Sequence, residues 1–194
     1  MKLQIIIGST RPNRMTERLA KWVANEAKNL EDTTVDLVDL ADYNIPFFDE
    51  AISPRYNPNR QINAEAGKWV DKLSEGDAYI FVTPEYNHSI PGVLKNALDY
   101  ITTELDKKPA TVVSHGSVGG ARAIIHLKEI LSESQAAIIP KAVAFAGAGQ
   151  SLTEEGVLDE AVKANPYGPQ GAITSMLAEI KWYSDALSAA RNKN

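Results

Sequence analysis

KLQIIIGSTRPNRMTERLAKWVA, residues 2–24, is the stretch that decides the fold of this chain. A largely apolar run from Leu3 to Ile7 ends at Gly8, a polar and cationic segment follows, and apolar residues return at helical spacing after Thr16. This pattern predicts a strand, a loop and a helix. In such a unit the free N–H groups at the start of the helix and the positive end of its dipole face the loop. The segment therefore predicts an anion site.

The side chains of this loop are suited to a phosphate. Gly8 permits a tight turn, and the residues after it supply hydroxyl and guanidinium donors. These donors are Ser9, Thr10, Arg11, Arg14 and Thr16. We predict a phosphate site at residues 9–16. Taken alone, the loop is also compatible with an ordinary strand-to-helix connection that binds nothing.

Composition limits the classes of protein that the chain can represent. Its 194 residues are 44% apolar and 23% charged, which predicts one soluble α/β domain over residues 1–194. A net charge of −5 argues against a nucleic-acid partner. The absence of cysteine excludes thiol nucleophiles, thiolate zinc sites and cysteine-held iron–sulfur clusters. Because the chain has neither a signal-peptide pattern nor an apolar run of ~20 residues, we expect a cytoplasmic protein without membrane contact.

Strand-like and helix-like segments alternate along the rest of the chain. After the first strand, further strands are predicted at 34–40, 78–82, 110–113 and 141–145, and helices follow near 19–30, 62–73, 94–101, 124–131 and 173–187. Residues 41–61 are proline-rich and aromatic, and we expect them to be irregular but ordered. Five strands alternating with five helices predict a flavodoxin-like three-layer sandwich with a five-stranded parallel sheet. Two common strand orders compete, and the length and strand count favour 2-1-3-4-5.

Three unusual loops follow strands 1, 3 and 4 of this predicted sheet. They are the cationic loop, the PEYN turn at residues 84–87 and the glycine-rich segment SHGSVGG at residues 114–120. In the order 2-1-3-4-5 all three rise from one edge, where α/β proteins bind ligands. We predict a cleft for a mononucleotide with a flat ring system; a purely structural role for the three loops is the alternative.

The motifs GSTRPNRMTERLA, TPEYNHSIPGVLKNALDY and the glycine loop before ARA resemble those of the NADPH-dependent FMN reductase family over residues 3 to about 146. The resemblance implies FMN as cofactor and NADPH or NADH as co-substrate. It implies that Ser9, Arg11 and Thr16 bind the FMN phosphate, that Pro84, Glu85, Tyr86 and Asn87 border the isoalloxazine ring, and that His115, Gly116, Ser117 and Gly119 line its pyrimidine side. Which of Arg14, Met15 and Thr16 meets the phosphate stays open. The resemblance also implies a dimer or tetramer in which a neighbouring subunit helps to close the flavin site.

Two functions follow as hypotheses. The first is an FMN-dependent NAD(P)H oxidoreductase that passes electrons to a small-molecule acceptor, such as a quinone, flavin or azo compound, in ping-pong turnover. The second is a flavodoxin-type electron carrier without a nicotinamide site. The two arginines of the cationic loop favour the enzyme. Because flavin N5 would carry the chemistry, no side chain is predicted to be catalytic, and amides of residues 116–120 are predicted to stabilise charge on the reduced ring.

The remaining candidate residues favour structural interpretations. The histidines at 88, 115 and 126 are too scattered to predict a metal site, so we expect surface or hydrogen-bonding roles. Trp22 and Trp69 fall on apolar helix faces and are predicted to be core residues. Glu154 and Glu155 are predicted to form a solvated helix start.

Overall fold

A computed structural model of the protein, which describes residues 1–193, contains a parallel sheet with helices on both faces. The strands are β1 (Lys2–Ile7), β2 (Thr34–Asp39), β3 (Ala78–Pro84), β4 (Pro109–Gly116), β5 (Ala137–Ile138) and β6 (Val143–Ala146). The helices are α1 (Met15–Ala27), α2 (Ala64–Ser74), α3 (Gly92–Asp99), α4 (Ala121–Glu133), α5 (Ala148–Ser151), α6 (Glu160–Lys163) and α7 (Pro169–Arg191). Within residues 1–193, no helix has the length and apolar character needed to cross a membrane.

The sheet has the order β2-β1-β3-β4-β5, with β6 also paired to β4, and every pairing between these strands is parallel. The predicted order 2-1-3-4-5 and the flavodoxin-like architecture are confirmed. The fifth position differs from the prediction, because β5 and β6 share it and the predicted strand at 141–145 begins only at Val143. Pro140 lies between the two pieces and has no N–H to donate to a ladder. There the Thr111 hydroxyl donates to the Lys141 carbonyl instead.

Each face of the sheet is covered by its own apolar cluster. Trp22 of α1 is buried under one face, where its ring meets Phe145 edge-on at 5.5 Å between centroids. Trp69 of α2 is buried under the other face and donates its indole N–H to the Ala97 carbonyl at 2.9 Å. Both tryptophans are core residues, as predicted. The α1 and α7 layer and the α2, α3 and α4 layer thus fix the sheet from opposite sides.

Residues 41–61 have short 3-10 turns at Leu40–Asp42 and Pro54–Tyr56 but no longer element, and they are held against α3 and the loop after it. Arg60 makes a bidentate pair with Glu50 and donates to the Tyr100 carbonyl at 2.7 Å. The Asn96 amide donates to the Pro46 carbonyl at 2.8 Å and accepts from the Phe48 N–H at 2.9 Å. The prediction of an irregular but ordered segment is confirmed.

The prediction that a helix starts at Glu154 and Glu155 is wrong. Both residues lie in the turn before Gly156, and α6 starts later, with Asp159 accepting from the N–H groups of its first turn. The turn is bound to α1, since Arg18 pairs with Glu154 at 3.2 Å. Gly156 has φ +75°, which is incompatible with a helix continuing from Glu154 and Glu155, and the acidic residues alone do not indicate this turn.

Candidate functional site

The loops after β1, β3 and β4 meet at the carboxyl edge of the sheet. Ser9 Oγ shares a hydrogen bond of 3.1 Å with the Tyr86 hydroxyl, and Thr16 Oγ1 shares one of 2.9 Å with His115 Nε2. The Glu85 N–H donates to the His115 carbonyl at 2.9 Å. Side chains from distant parts of the sequence therefore form one rim, as the strand order predicted.

A cavity of about 200 Å³ lies at the amino end of α1, inside this rim. Its lining residues are Arg11, Pro12, Asn13, Arg14, Met15, Thr16, Tyr86 and His115. The first N–H groups of a helix have no partner within the helix, so the backbone of this wall offers donors. Cationic side chains and the positive end of the α1 dipole also favour an anion here.

The two arginines of this loop have different surroundings. The Arg11 guanidinium lies over the Tyr86 ring, with Cζ 5.5 Å from the ring centroid. The Arg14 guanidinium forms an ion pair with Asp39 at the end of β2, and its side chain is only 12% exposed. Arg14 Nε is buried and has no hydrogen-bond partner within residues 1–193. Arg14, which lines the cavity, therefore has one buried N–H donor without a partner among the described residues.

His115 belongs to the wall of this cavity. It stands at the end of β4, with Pro84 and Phe145 as its neighbours on the adjoining strands. Burial lowers the pKa of His115 to about 4, so the imidazole is neutral near pH 7. The resemblance implied a place beside the pyrimidine ring; the imidazole lies against Thr16 on the first turn of α1.

Tyr86 is positioned by a tight two-residue turn. The N–H groups of Tyr86 and Ser89 each donate to the other's carbonyl at 2.9 Å. The intervening Asn87 and His88 have φ values of 49° and 66°, the left-handed conformation of a primed hairpin turn. Ser89 Oγ also shares a hydrogen bond of 3.0 Å with His126 Nδ1 on α4. The turn is thus fixed from both ends, which holds the Tyr86 ring at the cavity.

Glu85 connects the rim to α4. Its carboxylate accepts from the Arg122 N–H at 3.1 Å and pairs with the Arg122 guanidinium at 2.9 Å. Burial raises the pKa of Glu85, but the side-chain and backbone hydrogen bonds from Arg122 outweigh burial, and the pKa lies below its usual range. A negative charge therefore already occupies the amino end of α4. Stabilisation of charge on a bound ring would have to come from the amides of residues 116–120 themselves.

The glycine loop folds back closely on the end of β4. Gly119 and Gly120 have φ values of 78° and 79°, and the Ser114 hydroxyl lies 2.7 Å and 3.0 Å from their carbonyls. A Cβ on Gly120 would stand 2.7 Å from Ser114 Oγ, and one on Gly116 would stand 3.3 Å from Glu85 Cβ. Ser117 lies at the exposed tip. A side chain at Gly120 would collide with Ser114 and one at Gly116 would press on Glu85, so the glycines allow the loop to fold this closely.

A larger cavity of about 630 Å³ adjoins the cationic loop. Its lining residues are Thr10, Leu40, Ala41, Tyr43, Asn44, Ile45, Pro46, Phe47, Val93 and Asn96. None of these side chains carries a charge. Thr10, one of the predicted phosphate donors, lines this cavity and not the smaller one. Asp39, Ser89 and Arg122, which support the rim, were missed by sequence reasoning because no local motif marks them. His126 has the hydrogen-bonding role that was predicted for it, with Ser89 as its partner.

The NADPH-dependent FMN reductase family matches residues 1–150 of this chain. The chain belongs to this family. It is 31% identical over 162 residues to an NAD(P)H-dependent FMN reductase of Schizosaccharomyces pombe, covering 84% of this chain and 80% of the relative. It is 30% identical over 161 residues to a quinone reductase of Escherichia coli, covering 79% of this chain and 82% of the relative. The predicted family is confirmed.

Among solved structures, the fold is similar to that of FerB, a flavoenzyme NAD(P)H:(acceptor) oxidoreductase of Paracoccus denitrificans. The TM-score is 0.67 at 21% identity, and the similarity covers 97% of both chains. At 21% identity this similarity shows a shared fold, and a flavodoxin-like fold agrees with the observed strand order.

The residues of this chain fit FMN, the cofactor that the name of its family implies. The 200 Å³ cavity combines helix N–H groups, guanidinium groups and a buried unpaired Arg14 Nε, which suits a phosphate. The glycines let the loop fold closely on β4 and Glu85, and this leaves Gly116 partly exposed and Ser117 and Val118 exposed beside the rim, accessible to a flat ring.

Proposed function

We propose that this protein is an FMN-dependent NAD(P)H oxidoreductase that reduces a quinone, a flavin, an azo compound or a similar small molecule. The observation that carries the proposal is the junction of the small cationic cavity with the rim formed by Tyr86 and His115. Family membership supports the same activity. When bound, FMN supplies the redox chemistry, taking electrons from NAD(P)H and passing them to the second substrate in alternating turnover.

In this proposal the phosphate group of FMN occupies the cavity at the amino end of α1. Arg11, Arg14 Nε, the Thr16 hydroxyl and the first N–H groups of α1 are the donors that hold it. Ser9 is fully buried and bonded to Tyr86, so it supports the aromatic wall as well as the loop. Met15 contributes its backbone, since its side chain is packed against the core cluster under α1.

The ring system of FMN would lie against the turn at residues 84–87 and the loop at residues 115–119. The hydrogen bond from the Glu85 N–H to the His115 carbonyl, at 2.9 Å, joins these two segments. The glycine loop allows its amides to approach the ring closely. The ring edge must stay open for nicotinamide and then for the acceptor. No residue of the chain is assigned proton transfer.

We also propose that the enzyme is a dimer or tetramer and that the neighbouring subunit helps to close the site. Support comes from apolar side chains exposed on the α3 and α4 layer and on the adjoining irregular segment. These side chains include Phe47, Val93 and Ile125. Apolar patches of this kind commonly mark contact surfaces. A cytoplasmic location stays a prediction from the sequence.

Rapid anaerobic mixing of the purified protein with NADPH or NADH tests the proposal. We expect a yellow protein that releases FMN on denaturation and whose visible band bleaches quickly with at least one nicotinamide, then recovers when a quinone is added. A yellow protein that neither nicotinamide bleaches would instead be an electron carrier. A colourless protein that does not bind added FMN would contradict both functions.

A further inference from the structure

His115 is an unusual group to find in the wall of an anion cavity, because it can change its charge. Its Nε2 lies 2.9 Å from Thr16 Oγ1, a hydroxyl on the first turn of α1. Thr16 is 1% exposed and His115 is half-buried, so this contact lies largely out of bulk water at the wall of the cavity. The same cavity is lined by Arg11, Arg14 and Tyr86.

We infer that His115 takes up a proton when the FMN phosphate enters this cavity, and that the resulting imidazolium positions the Thr16 hydroxyl as a donor to the phosphate. The inference rests on the proposed function, because it needs FMN in the site. The proton comes from solvent and is added to the imidazole; no covalent bond is made or broken. His115 is thus a positioning residue that acts through Thr16.

The hydrogen-bond inventory supports this chain of donors. A neutral imidazole has one donor and one acceptor nitrogen, whereas the imidazolium has two donors. If Nε2 accepts from Thr16, as one neutral tautomer requires, the hydroxyl proton is not available to an anion. A protonated Nε2 must donate to Thr16 Oγ1, which leaves the hydroxyl free to donate to a phosphate oxygen. The hydrogen bond excludes only the neutral tautomer with its proton on Nδ1, and the charge of the phosphate then favours the imidazolium over the neutral form with its proton on Nε2.

Burial keeps His115 neutral before the phosphate enters, and in the described part of the chain no anion near it is free to offset that burial. Arg11 and Arg14 are cations in the same wall. Asp39 is paired with Arg14, and Glu85, whose N–H donates to the His115 carbonyl, directs its carboxylate to Arg122. Neighbouring strands place Pro84 and Phe145, which are uncharged, beside His115. Burial lowers the pKa of His115 to about 4, and an incoming phosphate dianion is the missing charge that would raise it.

The experiment measures FMN release when the holoenzyme is diluted at a series of pH values, using the fluorescence that FMN recovers in solution. Wild type is compared with His115→Gln, whose amide can still donate to Thr16 but cannot titrate. The FMN phosphate itself titrates near pH 6. The titration of free FMN is the same in both experiments and cancels in the ratio of the two dissociation constants. We expect the ratio of the His115→Gln constant to the wild-type constant to rise about tenfold between about pH 7.5 and about pH 5.5.

A ratio that stays constant over this range would overturn the inference and leave the proposed function intact. Wild-type protein that retains no FMN at any pH would overturn the proposed function, and the inference with it. Thr16→Val separates the relay from a direct contact. In the Thr16→Val background we expect His115→Gln to leave the ratio of dissociation constants nearly independent of pH; a ratio that still rises about tenfold there would show that His115 does not act through Thr16.

A second measurement keeps the inference testable if His115→Gln does not fold. The chain has 3 histidines, so the imidazole signals of wild-type holoenzyme can be followed individually by NMR. We expect His115 to titrate at about pH 6 or above with FMN bound, and well below that with riboflavin, which lacks the phosphate. A His115 midpoint below about pH 5 in the FMN complex would overturn the inference.

Discussion

Arg11 and Arg14 lie in the same loop but have different partners in the fold. The composition of the loop makes both phosphate candidates, because both have the same guanidinium group, whereas the family resemblance implies Arg11 and leaves Arg14 open. In the fold, Arg14 is paired with Asp39 from β2, whereas Arg11 lies over Tyr86 at the cavity. The loop sequence could not reveal the ion pair of Arg14, since its partner Asp39 comes from another strand.

Arg11→Ala is expected to raise the dissociation constant of FMN roughly ten- to hundredfold, by ~1–3 kcal/mol, through loss of a charge-assisted contact to the phosphate. Arg18→Ala is the matched control, because Arg18 lies on α1 and pairs with Glu154 away from the cavity. Fluorescence titration of each protein with FMN measures the constants. An Arg11→Ala constant equal to that of Arg18→Ala would place the phosphate elsewhere.

His115 is expected to make folding stability fall in mild acid when FMN is absent. Its pKa of about 4 in the folded protein is below the ordinary 6.5, so between these values the unfolded chain binds the extra proton. The stabilisation is complete above about pH 6.5 and is lost as the pH falls towards 4, by about 2 kcal/mol between about pH 7 and about pH 5. Urea unfolding at these two values measures it. His115→Gln should reduce this loss by most of that amount; an equal loss in both proteins would mean that other groups cause it.

At the scale of elements, periodicity predicted what local forces determine. The spacing of apolar residues predicted α1, α2, α3, α4 and α7, and continuous apolar runs predicted the buried strands β3 and β4. The break between β5 and β6 was not predicted. It occurs at Pro140, which cannot donate a backbone hydrogen bond, and the Thr111 side chain on the neighbouring strand β4 donates to the Lys141 carbonyl there. A hydrophobic pattern does not reveal a side-chain hydrogen bond that takes the place of a backbone hydrogen bond between strands.

The glycine loop before α4 supplies a prediction at this scale. Gly120→Ala places a Cβ 2.7 Å from Ser114 Oγ at a residue with φ +79°, so we expect the free energy of unfolding to fall by about 1–3 kcal/mol. Gly92→Ala is the control, because nothing lies within 4 Å of its Cβ position at the start of α3. We expect a change within about 0.5 kcal/mol for that variant. Denaturant unfolding compares them, and equal stabilities would show that the loop relaxes without strain.

At the scale of the whole molecule, strand order alone brought the three loops together. The order 2-1-3-4-5 placed the ends of strands 1, 3 and 4 side by side, and the contacts of Tyr86 with Ser9 and of His115 with Thr16 follow from that adjacency. The sequence could not show which atoms would meet, because those contacts depend on the left-handed turn at residues 87 and 88 and on the Glu85 carboxylate at α4. The strand order is therefore predictable here, whereas the sequence does not show which rim residues line the cavity and which only hold the others in place.

The proposed assembly provides the last test, since the outer layer of α3 and α4 exposes apolar side chains that a monomer leaves in water. Ile125 is 58% exposed on α4, and a charge there would be buried without a partner if this face joins two subunits. Ile125→Asp should therefore weaken the dimer roughly 100-fold, seen as a shift towards monomer mass in sedimentation equilibrium. Val157→Asp, a change of similar exposure beside α1 on the opposite side of the sheet, should leave the mass unchanged. A wild-type protein that is monomeric up to about 50 µM, or an Ile125→Asp protein with wild-type mass, would mean that the α3 and α4 layer is not the contact and that the flavin site closes without it.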